Sequence, residues 1–162
     1  MTDDKNVALF EKYHVLNRSE LFSRQEIMLE NYVKLINIEA LTMLDMATKD
    51  ILPAVETYIR ELAETLGAKK AVMPELPCKT EEKLLRRLAT LSTGIYEKIR
   101  AVEKALNGAA DVVGSMRIRA EYFHDVVFAA MEDLRVVADE LETITARKYW
   151  PYPTYGDLLF SV

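Results

Sequence analysis

Two short motifs hold the side chains best suited to chemistry. Glu11-Lys-Tyr-His14 and Glu121-Tyr-Phe-His124 both read Glu-x-x-His. Carboxylate-bridged di-metal bundles use two such motifs, with a further Glu from each of two other helices. Glu39 is a candidate for one of those. Three observations count against a metal site. Glu11 lies on a segment too short and too near the terminus for a bundle helix. With 26 Asp and Glu in 162 residues, Glu-x-x-His is a weak pattern. Phe123, not His124, falls on the apolar seam of its helix. The di-metal bundle is therefore only a remote alternative.

Other chemistries find less support. Cys78 stands in a proline-flanked loop with no His close in sequence, and a reactive thiolate needs a basic or electropositive neighbour. The five glycines, Gly67, Gly94, Gly108, Gly114 and Gly156, are scattered, so none belongs to a glycine-rich phosphate loop after a strand. The residues themselves point to no catalytic, cofactor-binding or metal-ligating position.

The elements that would carry any site are helices. Ser19 to Leu66 contains no Gly and one Pro, with apolar residues at helical spacing throughout. Leu29, Val33, Ile36, Ala40, Met43 and Ala47 alternate by four and three, which makes one seam against a partner helix. Met28, Leu35, Ile38, Leu44, Leu52, Val55 and Ile59 lie mostly off that seam. A helix apolar most of the way round is expected to be buried on several sides. Glu39 falls in the apolar arc and, if buried, requires an Arg, Lys or Tyr partner. Pro53 is expected to kink or break the helix, because it lacks an N–H and clashes with the carbonyl of Lys49.

On either side of this helix the pattern is equally helical. Val7 to Tyr13 suggests a short N-terminal helix, and Asn17-Arg-Ser-Glu20 has the form of a capping box. Gly67 is the expected stop of the central helix, and Ala68 to Lys79, with Pro74 and Pro77, reads as a loop. Thr80 is the expected cap of a second long helix with the seam Leu84, Leu88, Leu91, Ile95, Ile99, Val102 and Leu106, ended by Asn107-Gly108. Gly94 weakens its interior by about 1 kcal/mol relative to Ala. A third begins near Ala109 or Ser115 and reaches Lys148. Its seam runs Met116, Ala120, Phe123, Val127, Ala130, Leu134, Val137, Leu141, Ile144. Three long helices with short connections predict an all-α antiparallel bundle spanning 1–162 as one helical domain. Residues 149–162 form an aromatic tail, and Pro151 and Pro153 favour an extended run there.

Composition sets the remaining bounds. Half the residues are hydrophobic and the net charge is −5, with no basic run of the kind a nucleic-acid or anionic-membrane surface needs. The single Cys78 cannot form an intramolecular disulfide, which fits a reducing cytoplasm. No apolar run is long enough for a membrane span.

The tail also carries a family resemblance. Tyr149-Trp-Pro-Tyr-Pro-Thr-Tyr-Gly-Asp-Leu-Leu-Phe160 resembles the extreme C-terminus of the type III glutamine synthetases. Ser23-Arg-Gln-Glu-Ile27, Leu29-Glu-Asn-Tyr32, Asn37-Ile-Glu-Ala-Leu-Thr-Met43, Asp50-Ile-Leu-Pro-Ala-Val55 and Asp139-Glu-Leu-Glu142 resemble other parts of the same region, in the same order. The resemblance implies a non-catalytic structural or assembly domain at the C-terminal end of a larger enzyme. That enzyme would join ammonia to glutamate using ATP and a divalent metal, Mg or Mn, in domains upstream of this region. Its implied partners are the upstream catalytic domain and neighbouring subunits of a homo-oligomer. The sequence has no counterpart of the family's ATP loop or metal-binding Glu and His residues. A free-standing helical interaction module, docking through its apolar tail, is the alternative.

Overall fold

The structure is a computed structural model and describes residues 2–160. Among these residues every regular element is helical. Helix α1 spans Asp4–Lys12 and α2 spans Arg18–Met46. A wider π-helical turn, Ala47–Ile51, joins α2 directly to α3, Leu52–Val72. Helix α4 is Lys79–Gly108. Helix α5, Met116–Tyr122, passes through a second π-helical turn, Phe123–Phe128, into α6, Ala129–Ile144. A six-residue helix, α7, Tyr155–Phe160, closes the described chain.

The three long helices run up, down and up. α3 packs on α4, α4 on α6, and α2 on α5 and the second π turn. Their meeting faces form one apolar core containing Val33, Ile36, Ala40, Val55, Leu88, Ile95, Ile99, Val102, Phe123, Val127, Leu134 and Leu141. Leu88, Ile95, Ile99 and Val102 of the expected α4 seam are buried, Leu84, Leu91 and Leu106 are half-buried beside them, and Ser92 and Ala105 are buried as well. Ion pairs at the edges tie the bundle, with Arg87 Nη2 donating to Glu140 at 2.7 Å and Lys98 Nζ to Asp133 at 2.6 Å.

Several boundaries differ from the sequence reading, each for a local reason. The Asn17–Glu20 capping box forms with both reciprocal bonds, at 2.8 and 2.9 Å. Val7 and Leu21 are buried, so α1 covers the start of α2. The central helix does not stop at Gly67. A glycine inside a helix costs only about 1 kcal/mol, and Lys69 and Lys70 in the added turn pair with Glu81 and Glu82 across the connection. The helix ends instead at Met73, which the following Pro74 holds extended at φ −149° and ψ 95°. Thr80 is not a cap. Cys78 occupies the cap position of α4 without a side-chain bond, and its carbonyl accepts from Glu82 N at 3.0 Å.

Pro53 neither breaks nor ends the helix. The π turn before it lets Leu52 N–H donate to the carbonyl of Ala47, five residues back, and so opens room beside the Lys49 carbonyl that the ring would strike. The second π turn has no proline after it, and nothing in the local sequence explains it. Its effect is visible in the core. Past it, Met131 is buried in place of Ala130, which is half-buried, and the expected seam resumes at Leu134 and Leu141.

Candidate interaction surface

The residues singled out for metal chemistry do not converge. His14 lies beyond the C-cap of α1 in a left-handed conformation, φ 50°, so it does not share a helix face with Glu11. Glu11 accepts from Arg18 N at 3.1 Å. Glu121 accepts from Arg117 Nε at 2.9 Å, and His124 Nδ1 lies 2.7 Å from Asp125. Glu39 is exposed on the rim of a groove, not buried against a cation, because it projects between α2 and α6 on the open side of the bundle. Among the described residues no three His, Cys, Asp or Glu side chains cluster closely enough to share a metal ion. The donor set of a di-metal bundle, or of a synthetase's ATP-bound metal, does not fit these residues.

The features that stand out are apolar and lie outside the core. α2 was expected to be covered on several sides, and it is not. Phe22, Ile27, Met28, Leu35, Ile38 and Leu41 are exposed, with Leu35 at 55% and Ile38 at 60%. The cause is geometric: three helices cover one arc of α2, and its remaining arc has no neighbour among the described residues. Between α2 and the last helix this surface sinks into a groove lined by Ile38, Met43, Met46, Ala47 and Ile51 on one wall and Phe128, Met131, Leu134 and Ala138 on the other.

The tail divides into two halves. The first half packs on its own bundle. Tyr149 stacks on Tyr58 with ring centroids 5.1 Å apart, Trp150 and Tyr152 lie against the core, and Lys148 Nζ donates to Glu61 at 2.8 Å. Tyr152 Oη donates to Asp50 at 2.8 Å. Partial burial, then that bond to an anion, pushes its phenol up to about 12.

The second half is not the extended run expected from its prolines. Pro151 and Pro153 act only on residues before 155, and a cap then starts α7. Thr154 N donates to Asp157 at 2.8 Å while Asp157 N donates to the Thr154 hydroxyl at 3.3 Å. These bonds, with Arg147 as a further partner, hold the Asp157 carboxyl below its ordinary range. Sequence reasoning missed this cap, although Thr-x-x-Asp is its signature. α7 leaves Leu158, Leu159 and Phe160 in solvent.

No helix among the described residues is long and apolar enough to cross a membrane. What remains is a helical body with a partly covered central helix, an apolar groove and an aromatic tail. Comparison with known proteins shows what the chain is similar to. The family model described as the glutamine synthetase C-terminal domain matches residues 1–70. A glutamine synthetase of Butyrivibrio fibrisolvens is 33% identical over 159 residues, covering 98% of this chain and 23% of that protein. A glutamine synthetase of Bacteroides fragilis (strain YCH46) is 26% identical over 164 residues, 99% of this chain and 22% of that protein.

The chain is similar to the C-terminal region of glutamine synthetases, by the family model over residues 1–70 and by these relatives along nearly its whole length. Similarity to a type-3 glutamine synthetase of Dictyostelium discoideum, 30% over 166 residues and 99% of this chain, agrees with the type III signature of the tail. The chain spans 22–23% of the length of these curated relatives.

Proposed function

We propose that this sequence acts as the non-catalytic structural and assembly region of a cytoplasmic type III glutamine synthetase. In that enzyme ATP and a divalent metal would be held by upstream domains, which ligate ammonia to glutamate. The 162 residues form one helical domain that contacts the upstream catalytic domain and neighbouring subunits, and none of its own residues touches substrate. The observation that carries this reading is the uncovered arc of α2. Large apolar side chains gathered on one exposed arc, as Ile27, Met28, Leu35, Ile38 and Leu41 are, suit a protein interface, and solvent alone gives no reason to keep them.

The first test is the mass of the native polypeptide, read on a denaturing gel of source cells with an antibody to this region. A band several times larger than 18.5 kDa is expected. A band at 18.5 kDa overturns the reading and favours the free-standing interaction module. Within the intact enzyme, deleting Trp150 to Val162 is expected to disturb oligomer size or thermal stability. Unchanged oligomer size, melting and activity would remove the assembly role of the tail.

A further inference from the structure

The exposed arc of α2 runs from Arg24 to Asp45, roughly 32 Å at the rise of an α-helix. With each residue turning the helix by about 100°, Ile27, Leu35 and Ile38 fall on the side opposite the buried Val33, Ile36 and Ala40. The arc therefore faces directly away from the bundle, and a helix laid along it meets α2 before any other element. We propose that this helix is α2 of a second copy, laid antiparallel across a two-fold axis between Lys34 and Leu35.

The order of charges along the arc carries the choice of occupant. Glu20 and Arg24 stand exposed at its first end, Asp45 and Lys49 at its last. Read from either end, the order of signs is the opposite of that read from the other. In an antiparallel pair each residue faces the one equally far from the axis. Arg24 then faces Asp45 of the second copy, and Glu20 faces Lys49. Between these ends Met28 faces Leu41 and Asn31 faces Ile38, so the apolar residues are covered in the same alignment.

The contacts within one chain leave room for this. Asp45 already receives Lys49 of its own helix, and a carboxylate has a second oxygen for another cation. Lys34 stands nearest the axis, where its stem can lie along the second copy's Leu35 while Glu30 of its own helix holds its charge. A parallel pair in register would set Arg24 on Arg24 and Asp45 on Asp45, and like charges placed together oppose association. The same surface is used by both copies, so the contact is isologous and closes at two. The proposal rests on reading this arc as an interface, and it names what the arc meets.

The experiment is sedimentation velocity of the 162-residue chain from micromolar to millimolar concentration. A monomer–dimer equilibrium that stops at the dimer is expected. Arg24→Asp and Asp45→Arg each place like charges together at both ends of the pair and should each weaken it at least about tenfold. Leu35→Asp, beside the axis, should do the same. All three positions are exposed, so the variants should keep the wild-type melting temperature at concentrations where the wild type is monomeric. An equimolar mixture of Arg24→Asp and Asp45→Arg sets opposite charges together at both ends, and should recover a dimer of about wild-type affinity. A monomer at every concentration overturns the pairing, and assigns the arc to the upstream domain if Leu35→Asp still disturbs assembly of the intact enzyme. Growth beyond the dimer, a dimer indifferent to the substitutions, or a mixture that fails to recover also overturns it. None of these results bears on the mass of the native polypeptide, so failure of the pairing is distinct from failure of the synthetase reading.

Discussion

Helix α4 and helix α2 are nearly the same length and share a core, yet they are finished to different degrees. In α4 the apolar residues fall on one stripe, that stripe faces the bundle, and Tyr96 is its one large apolar residue in solvent. In α2 apolar residues run most of the way round and at least six large ones are exposed. The difference separates two demands on a helix. α4 is shaped only by the fold it stands in. α2 meets the fold with one arc and carries a second arc that the fold leaves unused, as expected of a helix that also belongs to an interface.

Substitutions that treat the two helices alike should sharpen this contrast. The largest effect is expected in the shared core. Leu88→Ala in α4 removes a fully buried side chain and should cost about 2–5 kcal/mol in urea unfolding of the isolated chain. The same truncation on the outer arc of α2, Leu35→Ala, should stay within about 0.5 kcal/mol in that assay. A large loss from Leu35→Ala would mean that the arc is already covered, and would break the comparison.

Next in size is the cap of α2. Asn17→Ala removes the acceptor for Glu20 N and should cost about 1 kcal/mol by the same measurement. A smaller effect of opposite sign is expected from α4. A Cβ on Gly94 would meet Val137 at an ordinary 3.9 Å, so Gly94→Ala should stabilise by about 0.5–1 kcal/mol. Gly108→Ala should not, since its Cβ would fall 2.5 Å from the Tyr122 hydroxyl that bonds the Ala105 carbonyl.

The smallest expected effect concerns the tail. The Tyr152 phenol is raised in the folded chain to about 12, against about 10 when unfolded. The fold therefore favours the neutral phenol. Its contribution is fully present below about pH 10 and declines as pH rises toward 12, because the unfolded chain loses the proton first. Tyr152→Phe should flatten that part of the profile of melting temperature against pH. An unchanged profile would mean that the Asp50 contact is not maintained in solution.

Much of this fold was legible in the sequence, because long helices write their packing into apolar spacing. The seam of α4, the inner arc of α2 and the Asn17 cap follow from period and residue type alone. The misses on α2 share one cause. Spacing reports which residues are apolar together, but it does not report how many neighbours are present to cover them. That is why Leu35, Ile38 and Glu39 were expected inside and stand outside. Gly67 was expected to stop a helix that ion pairs across the next connection carry onward. The five aromatics between Tyr149 and Phe160 require the tail to pack on its own bundle or on another surface, and its first half packs on its own bundle. Its destination beside Tyr58 and Asp50 depends on where the last helix ends, which a sequence pattern does not fix. The choice of family rested on particular residues of the tail and of five segments before it rather than on any periodicity, and the relatives are similar along 98–99% of the chain.

The π turn before Pro53 also has a meaning for how this chain can change over generations. A π turn has the same form as one residue added to an ordinary helix, and each residue turns an α-helix by about 100°. The turn absorbs that extra residue, because Leu52 N–H reaches back five residues to the Ala47 carbonyl instead of four. Removing one residue from Ala47–Ile51 would restore four-residue bonding and leave Leu52 to Val72 facing as they do now, with Val55 still in the core. It would also bring the ring of Pro53 back against the carbonyl one turn earlier. A deletion here is therefore expected to be accepted together with Pro53→Ala and rejected alone. The irregularity of the backbone and the proline that follows it are a matched pair, and each makes the other tolerable.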